Sequence, residues 1–325
     1  MIRICYFYSQ LPHYMIKYES LFNVFSKNLS SSFQRFRLKL KLGDIEILDA
    51  LYVCPISLRC YTIEGLKNRE LALEHVPPES LGGKGIILTC KELNNKDGHT
   101  TDKKLLNFFE SENFKASGGE INTKISSEAL SFRGITAKFA VKQKDGKPMV
   151  QIKSSTQNIG ALDHKGLFKN WDNGKFTLTW QQRKNIDKKA LLKCAYLMVF
   201  SKIGYELIFD TNGFKKETYG VLIEYLRNSE SDIDFPLAFI NRHAPLSNSA
   251  IGMITGPLEY KSFVINLTFK LNGNDFQYAV FLPHPENADL SNLKKLEELI
   301  SGENCRVDFH LAEITFDVCA QNNIS

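Results

Sequence analysis

Two adjoining blocks decide the reading of this chain. The first is Leu73-Glu74-His75-Val76-Pro77-Pro78-Glu79-Ser80-Leu81-Gly82-Gly83-Lys84. The second is Leu88-Thr89-Cys90-Lys91-Glu92-Leu93-Asn94-Asn95-Lys96-Asp97-Gly98-His99. Together they hold an acid–histidine pair at a strand end and a Pro-Pro and Gly-Gly loop. A polar Asn-Asn-Lys turn and a helix start at Thr100 and Thr101 follow. Histidine is the usual general base near neutral pH. Glutamate and asparagine oxygens are hard donors suited to Mg²⁺ or a similar cation. Lys96 and the helix N-terminus near Thr101 offer positive potential to a phosphate. The pieces are consistent with metal-assisted phosphodiester hydrolysis. The Asn94 to Gly98 run by itself reads as a turn.

These blocks sit in an ordinary globular composition. The chain has 325 residues, 43% of them apolar and 24% charged, which excludes a disordered or collagenous protein. Its length suits one large domain or two ordinary ones. A formal net charge of +5 permits a polyanionic partner without requiring one. No apolar run approaches the roughly 20 residues of a membrane-spanning helix. Residues 1–6 carry no long apolar segment of a secretory signal, and the seven scattered cysteines form no disulfide pattern, so the expectation is a reduced, cytoplasmic protein without a membrane partner.

Outward from the central blocks, residues 2–8 are apolar and residues 14–29 have helical periodicity. Residues 33–42 alternate, and as a strand they would place Arg35, Arg37, Lys39 and Lys41 on one face. That face either tracks nucleic-acid phosphates or is a solvated edge whose cations discourage aggregation. A helix from Thr101 ends at Ala116-Ser117-Gly118-Gly119, the best candidate boundary. Beyond it the pattern predicts hairpin strands at 138–141 and 149–153 around Asp145-Gly146, and a strand at 175–180. Helices are expected at 187–202, 216–227 and 290–299, and strands at 262–271, 275–282 and 306–316. The 187–202 helix reads as plain core. Trp171 and Trp180, with Phe176, read as strand packing before base stacking. His164, His243, His284 and His310 stand in no motif and receive no role.

The Glu-His-x-x-Pro-x-Ser-Leu-Gly-Gly block followed by Leu-x-Cys-x-x-x-Asn-Asn-Lys-x-Gly resembles the HNH endonuclease family, in the branch with Glu-His in place of Asp-His. The resemblance covers residues 50–105. It implies an α+β chain with a small ββα-metal nuclease module over residues 45–117. An N-terminal helix and basic strand over 1–44 would precede it. A larger mixed α+β domain for recognition or regulation would follow over 120–325.

It also implies roles. His75 would activate the attacking water, and Glu74 and Asn94 would hold one Mg²⁺ or Mn²⁺ ion. Asn95 and His99 are local alternatives for the second ligand and complete the catalytic set, while Asp102 orients the site. DNA is the implied partner, with RNA a variant, and Lys96 would meet its phosphates. Many family members carry a structural zinc on two Cys-x-x-Cys pairs. Here Leu93 stands where a second thiol is expected, and Cys54 and Cys60 are five residues apart. The remaining thiols, Cys54, Cys60 and Cys90, would need His99 as a fourth ligand. The other reading is a knuckle that has lost its metal and is held by packing at Leu93. A non-catalytic nucleic-acid-binding or regulatory protein on a decayed HNH scaffold is the alternative to an active nuclease.

Overall fold

The computed structural model of the chain describes residues 13–39, 41–42, 45–46, 50–117, 121–127, 132–144, 147–155, 177–179, 185–228, 235–246, 250–284, 290–301 and 310–313. The expected apolar stretch 2–8 lies outside these residues, as do Gly118-Gly119, Asp145-Gly146, His164, Trp171, Phe176 and Trp180. The fold is mixed α+β, with several small antiparallel sheets and helices. Among the described residues no helix is long and apolar enough to cross a membrane.

The first helix, α1 (His13–Phe36), runs seven residues past its expected end. Leu21, Phe22, Phe25 and Leu29 are buried at helical spacing. Phe22 stacks on Tyr52 and Phe25 on Phe200. The segment expected as a basic strand therefore begins as helix. Phe33 packs edge-on against Phe209, and buried Ser32 shares its turn. Arg37 then takes φ 55°, with Arg37 N–H bonding to the Gln34 carbonyl and Leu38 N–H to the Phe33 carbonyl, a Schellman ending. Strand pairing starts only at β1 (Lys41–Leu42), which meets β2 (Ile45–Glu46). Arg35, Arg37, Lys39 and Lys41 consequently share no strand face. The alternation in residues 33–42 was overridden by the apolar contacts that the last helical turn makes.

The chain then forms β3 (Tyr52–Val53), β4 (Cys60–Tyr61), α2 (Ile63–Lys67), β5 (Leu71–Val76), β6 (Lys84–Cys90), α3 (Lys91–His99) and α4 (Thr101–Ser117). After these come β7 (Ile121–Ser127), β8 (Phe132–Lys144), β9 (Lys147–Lys153) and β10 (Thr177–Thr179). They form one four-stranded sheet in the order β10-β7-β8-β9. The β8–β9 hairpin is the one its period-2 pattern predicts. β7 went unpredicted, although Ile121, Thr123 and Ile125 are buried and alternate with exposed Asn122 and Lys124.

Helix α5 (Lys188–Ile203) carries the buried run Ala190–Leu197 together with Val199 and Phe200. Further on are α6 (Val221–Arg227) and a five-stranded sheet near the C-terminus. Its strands are β13 (Phe239–Ile240), β14 (Ile251–Gly256), β15 (Ser262–Leu271), β16 (Asn274–Pro283) and β17 (His310–Glu313), with β11 (Phe209–Asp210) and β12 (Gly213–Phe214) forming a separate small ribbon before it. The sheet order is β13-β16-β15-β14-β17. Asn272 and Gly273, at φ 51° and 84°, make the tight β15–β16 turn. Helix α7 (Ser291–Ser301) buries Leu293 and Leu296.

The chain divides into two compact units. One comprises Met1–Asp102, Lys188–Phe269 and Phe276–Ser325; the other comprises Lys103–Asp187 and Lys270–Asp275. The expected boundary at 116–119 lies inside the second unit. In the first unit the central hairpin shares its core with helices from both ends of the sequence. The Tyr205 hydroxyl donates to the Val53 carbonyl at 2.6 Å and accepts from the Val53 N–H at 2.8 Å. The Tyr196 hydroxyl donates to the Pro55 carbonyl at 2.8 Å, and the Tyr52 hydroxyl donates to the Leu88 carbonyl. These phenols satisfy backbone groups that are buried away from water.

Candidate functional site

The site is built on the β5–β6 hairpin and the helix directly after it. The strands pair antiparallel, with Leu71 opposite Cys90 and Glu74 opposite Ile87. The register then shifts, so that His75 faces Gly85 and Val76 faces Lys84. This bulge leaves Ile86 as the extra residue on β6, the kind of irregularity that re-aims neighbouring side chains. Glu74 is directed inward, at 4% exposure, while His75 is half-buried. The connecting loop explains its own composition. Gly82 sits at φ 80°, and a Cβ on Gly83 would land on the Pro77 carbonyl oxygen. Leu81, fully buried, anchors the loop.

Helix α3 starts as soon as β6 ends, its first N–H donating to the Glu70 carbonyl at 2.9 Å. The Asn94 to Gly98 run expected as a turn is therefore helical. The reason is tertiary: Asn94 and Asp97, three residues apart, lie on one helix face and both reach buried partners. Asn94 Nδ2 donates to Glu74 Oε2 at 2.6 Å, and more loosely to Thr89 Oγ1 at 3.4 Å and the Leu73 carbonyl at 3.5 Å. Thr89 Oγ1 also donates to Glu74 Oε2, at 3.1 Å.

The other Glu74 oxygen meets a residue that sequence reasoning assigned to plain core. Lys193, on α5, places its Nζ 2.8 Å from Glu74 Oε1, 3.1 Å from Asp97 Oδ2 and 3.4 Å from Asp102 Oδ1. The side chains of Lys193 and Glu74 are each 5% exposed, those of Asp97 and Asp102 14% and 20%. Burial pushes the Glu74 carboxyl above the ordinary carboxylate range, against the pull of the Lys193 ammonium; Asp102 and Asp97 push in the same direction as burial. Burial alone would lower Lys193. The Glu74, Asp102 and Asp97 carboxylates outweigh it and hold the ammonium above its ordinary value. The one signal in the sequence was a lysine inside an otherwise apolar helical run.

The remaining expected residues are dispersed. Asn95 lines a cavity of about 520 Å³ with Arg59, Cys60, Tyr61, Glu70 and Cys90. Lys96 is exposed on α3, and His99 is exposed at its last position. Arg35 pairs with Glu206 at 2.6 Å, and Arg37 and Lys39 are exposed.

Cys54 is buried, and its Sγ accepts from Ser57 N–H at 3.4 Å and Cys90 N–H at 3.3 Å. Two parallel arrangements emerge, Cys54-Pro55-Ile56-Ser57 and Cys90-Lys91-Glu92-Leu93, each with a thiol first and a non-thiol fourth. The first of these was overlooked because attention fell on Cys60, which is exposed on β4. Arg59 Nη1 lies 4.0 Å from Cys90 Sγ and 3.0 Å from Glu92. Among the described residues no group of three or more His, Cys, Asp or Glu is disposed to hold a metal. Comparison with protein-family models, with curated proteins and with solved structures finds no match to this chain.

Proposed function

We propose that this protein is an HNH-type endonuclease that hydrolyses DNA phosphodiester bonds with one Mg²⁺ or Mn²⁺ ion held by Glu74 and Asn94. The observation that carries the reading is the 2.6 Å approach of Asn94 to Glu74, from a hairpin and the helix that follows it, with the more open His75 next along the strand. The donor chemistry suits a hard dication. Glu74, Asp97, Asp102 and Asn94 offer oxygen, and three carboxylates against one ammonium leave two negative charges. When bound, the ion supplies Lewis-acid stabilisation of the charge that develops on the scissile phosphate. His75 takes the proton of the attacking water. Thr89, the Leu73 carbonyl and Lys193 hold Glu74 and Asn94 in their mutual orientation. Lys96, Arg37 and Lys39 are exposed cations available to the phosphate backbone.

One observation favours the non-catalytic alternative: the ammonium seated on Glu74 already supplies positive charge there. Plasmid DNA incubated with Mg²⁺, Mn²⁺ or no metal separates the two readings. Metal-dependent cleavage by the wild type should fall by about 10²–10⁴ in folded His75→Ala, the usual scale for an acid–base group. DNA binding without cleavage under any metal would support the decayed scaffold. Undiminished cleavage by folded His75→Ala would remove His75 from the mechanism.

A further inference from the structure

We propose that Lys193 is a tethered counter-cation of this site, a positioning residue that sets how tightly a divalent ion binds beside Glu74. The inference rests on the metal-dependent reading above and assigns its regulation to helix α5.

The placement of Lys193 is the first support. A lysine almost never enters a fully buried helix face unless it is paired. Here it has 4% exposure between buried Leu192 and Cys194. Its desolvation is tolerated because three carboxylates converge on one ammonium.

Geometry supplies the second. Glu74 Oε2 is engaged by Asn94 and Thr89, so Lys193 takes the remaining oxygen, Oε1. A dication approaching Glu74 therefore meets a positive charge 2.8 Å from that carboxylate. The two cations must share Glu74, or the ammonium must withdraw toward Asp97 and Asp102, which line the more exposed side of the cluster. Either course lowers divalent affinity relative to a site of the same oxygens without the lysine.

Sequence distance supplies the third. Glu74 and Asn94 are local to the hairpin and α3, whereas Lys193 arrives on α5. The packing of α5 on the hairpin thereby becomes a determinant of metal affinity, and a shift of that helix would alter the charge facing the ion.

The test is Mn²⁺ binding to the full-length, chelator-stripped protein without DNA, read by electron paramagnetic resonance of free Mn²⁺. Lys193→Gln keeps a hydrogen-bond donor for Glu74 but removes the charge, and should bind Mn²⁺ at least about tenfold more tightly than wild type. Lys193→Arg keeps the charge and should stay close to wild type. A merely structural lysine would not produce a gain, since loosening the site weakens binding. Equal or weaker binding by folded Lys193→Gln would overturn the proposal.

Two controls complete the test. Glu74→Gln should abolish the site; if it leaves Mn²⁺ affinity unchanged, the ion lies elsewhere and the metal reading falls together with this inference. Should Lys193→Gln fail to fold, Asp97→Asn on the partly exposed helix α3 replaces it. That variant leaves one residual negative charge in place of two and should weaken Mn²⁺ binding about tenfold. Unchanged affinity there would refute the role of the charge balance and with it the proposal.

Discussion

Replacing Lys193 by methionine tests the electrostatic frame of the site through stability alone. Methionine is close to lysine in length, so little packing volume is lost. The charge is lost, and Glu74 retains only the neutral donors Asn94 and Thr89 at 5% side-chain exposure. Breaking one partner of a buried ion pair costs about 3–5 kcal/mol, because the other charge remains desolvated. Asp97 and Asp102 are partly open to water and recover some solvation, so the lower half of that range is expected. For a unit of this size, about 3 kcal/mol corresponds to a fall of roughly 6–12 °C in Tm. Thermal melts followed by far-ultraviolet circular dichroism measure it. Adding Glu74→Gln to Lys193→Met removes the stranded carboxylate and should restore a large part of the loss. A single-variant loss below about 1 kcal/mol, or strictly additive effects in the double-variant cycle, would show that the cluster is screened by solvent and that the buried-pair argument fails.

Other expectations follow from the same packing. A fragment limited to residues 45–117 lacks α1 and α5 and leaves Glu74 without Lys193, so it should show no cooperative unfolding transition; a sharp melt would contradict the shared core. Tyr205→Phe strands the buried Val53 N–H and carbonyl and should cost about 2–5 kcal/mol in denaturant titration, with a loss near zero counting against the contact. Among Cys54, Cys60, Cys90 and Cys194, an alkylating reagent at neutral pH should reach Cys60 first, since burial hides Cys54 and Cys194 and pushes both thiols up; peptide mapping that finds Cys54 labelled ahead of Cys60 would refute this order.

Much of the local structure was legible without coordinates. Period-2 runs marked the β8–β9 and β15–β16 hairpins. The apolar run at 190–200 marked a buried helix, and the glycines of the Pro-Pro to Gly-Gly loop marked a tight connection that the Gly83 approach to Pro77 explains. The pairing of Glu74 with Asn94 was also anticipated, through the motif that contains both. These features depend on residues near one another in sequence, where spacing alone decides which side chains share a face.

The failures occurred where distant contacts outweighed local preference. Residues 33–36 alternate like a strand yet remain helical, because Phe33 gains an aromatic partner at Phe209. Residues 94–98 have turn composition yet form helix, because Asn94 and Asp97 are held by Glu74 and Lys193. The sequence by itself determined the acid, the histidine and the amide of the candidate site, since a hairpin and its following helix carry all three within about twenty residues. Only the tertiary structure decided the charge that faces them. Lys193 reaches Glu74 from more than a hundred residues away, and nothing in an apolar helical run reveals which buried carboxylates its one cation will meet.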